Sequence, residues 1–318
     1  MSGAELALPA GSVVTVGSFD GMHRGHQALL RELHARAARL GAAPVVVTFE
    51  PHPATVIAPA RSCARLTLAV ERQEVLAELG SGYLLVLRFD AALAGLSAQQ
   101  FVQEVLLGRC RMRELVIGVN HRFGHGGAGD SLTLPPLGRR LGFAVSVVAP
   151  VADEQGEVIS STRIRAALAA GELARVAQWL GRPYRFTARV TPGAGRGQTI
   201  GMPTINLAEP PREKALPPDG VYAARVEWGG GTAGAMVNQG PRPTVGDLSR
   251  SIEAHLFDFS ENLYGRTVRL EWVERLRDIQ RFPSLDALRA QLALDRDRAL
   301  EALRRFPETS TTRPIAAR

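Results

Sequence analysis

The sequence predicts two domains: an N-terminal α/β domain on a doubly wound parallel sheet, then a small β-barrel closed by a C-terminal helix. Three observations carry this. The 318 residues are enough for two cores of ordinary size, and 45% of them are apolar. Through about residue 180, continuous apolar runs alternate with amphipathic helical patterns. Beyond that point the pattern shifts to strands separated by Gly- and Pro-containing turns.

In chain order, residues 13–16 read as a strand and 25–40 as a helix stopped by Gly41. Residues 45–49 form a buried strand ending at Glu50-Pro51-His52-Pro53. Thr67 is placed to cap a helix through 79, with Gly80 just past its end, and 83–87 form a strand. Ser97 caps a helix through 107, closed by Gly108. Residues 115–119 are a strand, 120–130 a loop, the region near 137–141 a short helix and 143–148 a strand. Apolar strands without alternation imply a parallel sheet covered on both faces, with ligands beyond the carboxyl ends of its strands.

Helices are expected over 160–170 and 173–180, and Gly181-Arg182-Pro183 reads as the boundary. The domains are therefore expected at 1–183 and 184–308, with 309–318 a disordered tail. Strands follow at 184–190, 220–228, 233–238, 251–257 and 267–276, with a hairpin signal at Gly229-Gly230-Gly231. A helix over 284–304 carries Leu285, Leu288, Leu292, Leu300 and Leu303, a stripe expected to pack on the barrel.

The net charge is +7, but the positive residues are almost all Arg, and Lys214 is the single lysine. No dense basic block carries interleaved aromatics, which make up 6% of the chain. Nucleic acid is therefore not the expected partner. No run approaches a membrane span and no signal peptide is read, so no membrane association is expected. Cys63 and Cys110 lack metal-site spacing and read as free thiols, which points to the cytoplasm.

The segment Gly17-Ser18-Phe19-Asp20-Gly21-Met22-His23-Arg24-Gly25-His26 lies between the first strand and the first helix. Unpaired N–H groups and the positive helix end converge on such a turn, making it an anion site. His23 and His26 share one face of the first helical turn and add side-chain donors. The segment matches neither the Lys-containing phosphate loop nor the dinucleotide fingerprint. Asp20 either orients a histidine or a metal-bound water, or simply fixes the turn as an Asx motif. The glycines Gly17, Gly21 and Gly25 let the backbone approach phosphate.

This pattern resembles the HxGH nucleotidylyltransferases. Its Phe-Asp-Gly form resembles the adenylyltransferase half of the bacterial bifunctional riboflavin kinase/FAD synthetases. Ser160-Ser161-Thr162-Arg163-Ile164-Arg165 reads alone as a plain helix cap. Beside the HxGH turn it resembles the ISSTxxR element set across the nucleotidylyltransferase site, with Arg165 forked onto phosphate. The resemblance implies that Gly17, Ser18, Phe19, Asp20, Gly25, Ser160, Ser161, Thr162 and Arg165 bind ATP. It further implies that Asn120 and Asp130 lie near the flavin. Ser18 stands where Asn is common, and Asn120-His121 where Asp-Phe is common. The stretch around Pro51-His52-Pro53 resembles the family's F-x-P-H-P, and His52 reads as part of a rigid loop.

Downstream, the run Gly195 to Asn206 resembles the riboflavin kinase pattern G-R-x-x-G-F-P-T-A-N. The blocks around Tyr222, Asn238, Glu253, Tyr264 and Arg277 follow in the family's order. The resemblance, which covers about residues 12–305, implies a flavokinase barrel. Gly195, Gly197 and Gly201 would bind ATP, and Thr204 and Asn206 would hold Mg²⁺. Glu253 would act as general base, with Arg277 on the flavin side. Gln198, Ile279 and Pro192-Gly193 depart from the family pattern. The implied activity is phosphorylation of riboflavin by ATP to FMN, then adenylyl transfer from ATP to FMN giving FAD and pyrophosphate. The other readings are adenylyl transfer to a nicotinamide or pantetheine nucleotide, and a flavin sensor without turnover.

Overall fold

The computed structural model describes residues 11–61, 63–80, 82–193, 201–241 and 250–306. Gly195, Gly197, Gln198 and the expected tail at 309–318 lie outside them. The chain divides into two compact units, Met1–Ser161 and Thr162–Arg318.

The first unit holds β1 (Ser12–Val16), α1 (Arg24–Leu40), β2 (Ala43–Glu50), α2 (Pro53–Ile57), α3 (Ala69–Glu78), β3 (Tyr83–Arg88), α4 (Ala91–Gly95) and α5 (Ala98–Phe101). It continues with β4 (Met112–Gly118), α6 (Leu134–Leu141) and β5 (Ala144–Val148). All strands pair in parallel, in the order β3-β2-β1-β4-β5. The central strand β1 is buried along its whole length. Alternate residues of the strands feed two cores, as a period of two requires. Val13, Val46 and Val116 meet Leu29, Leu30 and Leu33 of α1 and Val75 of α3. Val14, Val47 and Ile117 meet Phe101, Val105 and Leu137 on the opposite face. The chain winds outward from β1 in both directions, so the switch point lies between β1 and β4.

Gly41 and Gly142 end α1 and α6 in the left-handed conformation expected of a C-terminal glycine. Ser97 accepts from the Gln100 N–H as expected, but beyond α5 the helix widens into a π-helical turn at Val102–Leu107. Helices α2 and α4 are each a single short turn, below the length at which periodicity is readable.

The second unit carries α7 (Ser161–Ala169, which starts at its border) and α8 (Leu173–Leu180). The barrel is built from β6 (Tyr184–Thr191), β7 (Ile205–Leu207), β8 (Gly220–Trp228), β9 (Gly231–Pro241), β10 (Arg250–Leu256) and β11 (Thr267–Arg277). It closes in the order β10-β7-β6-β11-β8-β9. Strands β8 and β9 form a hairpin through Gly229-Gly230, with Trp228 opposite Gly231. Phe186, Tyr222 and Trp272 are wholly buried aromatics, and Tyr184 stacks on Trp272 at 5.7 Å. On the alternate face, Val221, Ala223 and Val273 pack under Ala299 and Ala302 of α9 (Leu285–Arg305). Ser284 caps this helix by accepting from the Ala287 N–H at 3.1 Å.

Charges are buried in the barrel wall as well. Arg269 pairs with Glu227 at 2.9 Å. Lys214, the single lysine, donates to the Arg185 carbonyl at 2.8 Å and lies 4.6 Å over the Tyr184 ring. None of the described helices is long and apolar enough to cross a membrane.

The core contacts of α1 set a stability expectation. Leu33 is wholly buried, so Leu33→Ala should cost about 3 kcal/mol in urea denaturation, whereas Leu294→Ala, at an exposed position, should stay within about 0.5 kcal/mol.

Candidate active sites

Beyond β1 the chain turns sharply through Gly17 to His23 and enters α1. Three residues in this turn need positive φ: Phe19 at 50°, Gly21 at 83° and Met22 at 45°. Only glycine takes such angles freely, so at Phe19 and Met22 burial and hydrogen bonding hold the strain. His23 occupies the N-cap position and is buried. Its ring stacks on His26, with centroids 3.8 Å apart and planes 19° apart. Phe19 meets His26 edge-on at 5.3 Å. A Cβ at Gly25 would sit 3.0 Å from the His23 ring, so glycine there is what admits the buried imidazole. Both histidines thus stand as a fixed pair at the carboxyl end of the central strand.

Asp20 braces the turn through a partner far away in the chain, not through a local Asx motif. Its buried carboxylate accepts from the Thr67 N–H at 3.0 Å and the Thr67 hydroxyl at 3.4 Å. Thr67 Oγ1 in turn accepts from the Gly21 N–H at 3.0 Å. Thr67 therefore does not cap α3 as the sequence suggests. Leu68 holds the N-cap position, and its N–H donates to Glu71 at 2.8 Å. Arg72, also buried, donates to the Ser18 carbonyl, the Phe49 carbonyl and Glu50. Arg65 holds the other oxygen of Glu50 at 3.0 Å. Burial pushes the Arg72 guanidinium below its ordinary pKa, against the pull of Glu50. The ISST element joins the same turn: the Ser161 hydroxyl donates to the Asp20 carbonyl at 2.8 Å, across 141 residues. Ser160 precedes α7, while Thr162 and Arg165 lie on α7 in the second unit. Arg163, three residues after Ser160, stacks 4.7 Å over the Trp179 ring.

In the 119–130 loop, Asn120 is exposed. Asp130 accepts from the N–H groups of Leu132 and Thr133 and from the Thr133 hydroxyl. These bonds hold its carboxyl below the ordinary range. His121 packs against Phe123 at 5.6 Å, and burial lowers its pKa to about 4. The imidazole is therefore neutral near pH 7 and adds a flat wall to the loop, not a charge. His52 behaves as the rigid-loop reading expects: its Nδ1 accepts from the Ala54 N–H at 3.2 Å and caps α2.

The barrel carries a cavity of about 610 Å³. Glu253, Thr204 and Arg277 all line it, together with Asn238 and His255. Its other wall is apolar, with Met202, Ile279, Phe282, Leu285, Leu288 and Leu292. Three of the five leucines of the α9 stripe thus face the cavity. Leu300 and Leu303 pack on the barrel as expected, and Leu292 does both. Asn206 is not among the lining residues. It lies opposite Glu253 in the β7–β10 ladder, and its amide fits against Gly193, where a Cβ would come within 2.0 Å. A second cavity of about 270 Å³ borders Thr204 from the other side, with Pro203, Leu256, Phe259 and Tyr264 in its wall. Gly201 sits in the left-handed region at φ 79° just before Met202 and Thr204. Arg277 is clamped by the wholly buried Asp295 of α9, with Nε and Nη2 on Oδ2 at 2.9 and 2.7 Å.

Comparison with known proteins agrees with this division. The FAD synthetase family matches residues 6–163 and the riboflavin kinase family residues 180–303. The bifunctional riboflavin kinase/FMN adenylyltransferase of Escherichia coli K12 is 40% identical over 286 residues, 90% of each chain. The chain belongs to that family. The Bacillus subtilis member is 32% identical over 92% of each chain. A crystal structure described as a macrolide-efflux protein from Streptococcus pneumoniae shares the fold, at TM-score 0.83 and 33% identity, over 94% of this chain and 95% of that one.

Within this bifunctional family frame, sequence reasoning found the motifs and missed their supports. Thr67, Arg72 and Asp295 carry no motif of their own, since each acts on residues far away in the chain. The nearest signal was Thr67 before an apolar helix, which reads equally well as a cap. The turn's dependence on Thr67 is testable. Thr67→Val keeps the shape and removes both side-chain bonds, at a cost of about 1–3 kcal/mol. FAD formation from supplied FMN should fall about ten-fold or more as the turn loosens, while FMN formation from riboflavin is retained.

Proposed function

We propose that the barrel phosphorylates riboflavin through Glu253 and that the α/β domain adenylylates the resulting FMN through the His23/His26 pair. The activities are riboflavin kinase and FMN adenylyltransferase. Residues 184–308 carry the first and 1–183 the second. ATP is the co-substrate of both.

The observation that carries the kinase site is the convergence of Glu253, Thr204 and Arg277 on one cavity with an apolar wall. Such a cavity suits a flat, largely apolar ring system with a polar chain at one end. The flavin ring lies along Phe282, Leu285, Leu288 and Leu292, and the ribityl chain points toward Glu253. The Glu253 carboxylate takes the proton from the terminal hydroxyl as its oxygen attacks the γ-phosphorus of ATP. The bond to the β-phosphate oxygen breaks and ADP leaves. The nucleotide occupies the smaller cavity, so that Thr204 forms the partition between the two substrates.

Thr204 and Asn206 would hold the Mg²⁺ that accompanies ATP. Among the described residues no group of three His, Cys, Asp or Glu side chains could hold a metal. The local donors are neutral hard oxygens, which suits a cation that arrives on phosphates and keeps much of its water. When bound, it neutralises charge on the transferring phosphoryl group.

At the adenylyl-transfer site, the amino end of α1, the close backbone approach at Gly17 and Gly25 and the two imidazoles receive the ATP phosphates. Ser160 and Ser161 join them on the ATP side, and Asn120 with the 119–130 loop lies on the flavin side. A phosphate oxygen of FMN attacks the α-phosphorus, and pyrophosphate carries away the electrons of the broken bond. Asp20 keeps the turn in shape through Thr67. The free thiols fit a cytoplasmic protein; burial pushes Cys110 up to about 11 and makes it inert.

A product assay with riboflavin, ATP and Mg²⁺, followed over time by chromatography, should give FMN and then FAD. Replacing His23 and His26 together with Ala should abolish FAD formation and leave FMN formation intact. Loss of both products in a folded protein would contradict separate sites. Glu253→Gln should stop FMN formation from riboflavin by about 10²-fold or more, while supplied FMN still becomes FAD.

A further inference from the structure

We propose that His255 is the positioning residue of the kinase site, holding the Pro203–Thr204 peptide in place through a hydrogen bond from Nδ1. The inference rests on the reading of Thr204 as a phosphate-side residue of the barrel. It goes further by naming what fixes Thr204.

Strand β7 is three residues long, and its ladder to β10 consists of Glu253 opposite Asn206 and Ala254 opposite Ile205. One step further, Thr204 would face His255, but the main-chain pairing has ended. Pro203 has no N–H, so its carbonyl is the only main-chain hydrogen-bonding handle at that residue. His255 Nδ1 lies 2.8 Å from that carbonyl oxygen. A carbonyl only accepts, so the proton sits on Nδ1. The side chain thus continues the ladder where the backbone cannot. Phe257 meets the imidazole edge-on at 5.9 Å and 73° and limits its rotation.

The location gives this bond its consequence. Glu253 and His255 are two apart on one strand and share a face, and both line the larger cavity with Thr204. Pro203 and Thr204 line the smaller one. The bonded peptide is therefore the partition between the two cavities. A shift of about 1 Å in a positioning element costs on the order of 10²-fold in rate.

Three variants separate the possibilities, because Asn places an amide N–H near the Nδ1 position, Gln places it near Nε2, and Ala has none. Each is assayed for FMN formation from riboflavin, with kcat and the KM for ATP in Mg²⁺. Riboflavin binding is followed by fluorescence quenching, and FAD formation from supplied FMN reports on folding. His255→Ala should lower kcat about ten-fold or more and raise the KM for ATP, with riboflavin affinity within about two-fold of wild type. His255→Asn should recover most of the loss, and His255→Gln should resemble Ala. FAD formation should be unchanged in all three. Recovery by Gln and not by Asn would mean that Nε2 acts on the substrate and would overturn the proposal, as would an unaffected Ala variant. Absence of FMN formation in the wild type would instead remove the kinase reading itself, and this inference with it.

Discussion

The buried carboxylate of Asp20 is the interaction on which the first unit's chemistry depends. A chain leaving β1 must reverse within seven residues and deliver two imidazoles in a stack. It does so through positive φ at Phe19 and Met22, which no β-carbon-bearing residue adopts without compensation. Compensation comes from outside the turn: Thr67 bonds both Asp20 and Gly21, Arg72 holds Ser18, and Ser161 holds Asp20 from the far end of the unit. Each group is buried or half-buried, so an unmade bond would leave an unsatisfied polar atom in a low-dielectric setting. The turn is rigid because its neighbours leave it no alternative.

The barrel solves its problem differently. Its interior is filled by Phe186, Tyr222 and Trp272. The cavity lies on the outer face, where α9 approaches the strands and leaves a gap at its amino-terminal half. The Arg277–Asp295 pair sits where that gap begins. A buried pair of this kind adds little net stability, but breaking it strands a charge, so it fixes the helix in one place. The same helix is core at Ala299 and Ala302 and cavity wall at Leu285 and Leu288.

Strand and helix periodicity made both folds legible, because apolar spacing reports directly on which face is buried. The HxGH turn and the Glu253 block were legible because their chemistry needs particular residue types in local sequence. What stayed hidden was set by partners distant in the chain. Strand β7 is too short to show alternation. The π turn at Val102–Leu107 has the composition of an ordinary helix. Thr67 looks like a cap until Asp20 is seen 47 residues earlier at hydrogen-bond distance. The leucine stripe of α9 correctly announced an apolar face but not that half of it borders empty space.

Lys214 lies under the rings of Tyr184 and Phe186, and it is the chain's sole primary amine on a side chain. Among lysine and arginine side chains, the exposed positive charge of this protein is therefore all guanidinium. Guanidinium stays cationic at any pH a folded protein tolerates. Lysine acylation, the commonest way to erase surface charge, has no purchase on it. The arginine part of the surface charge is fixed by composition.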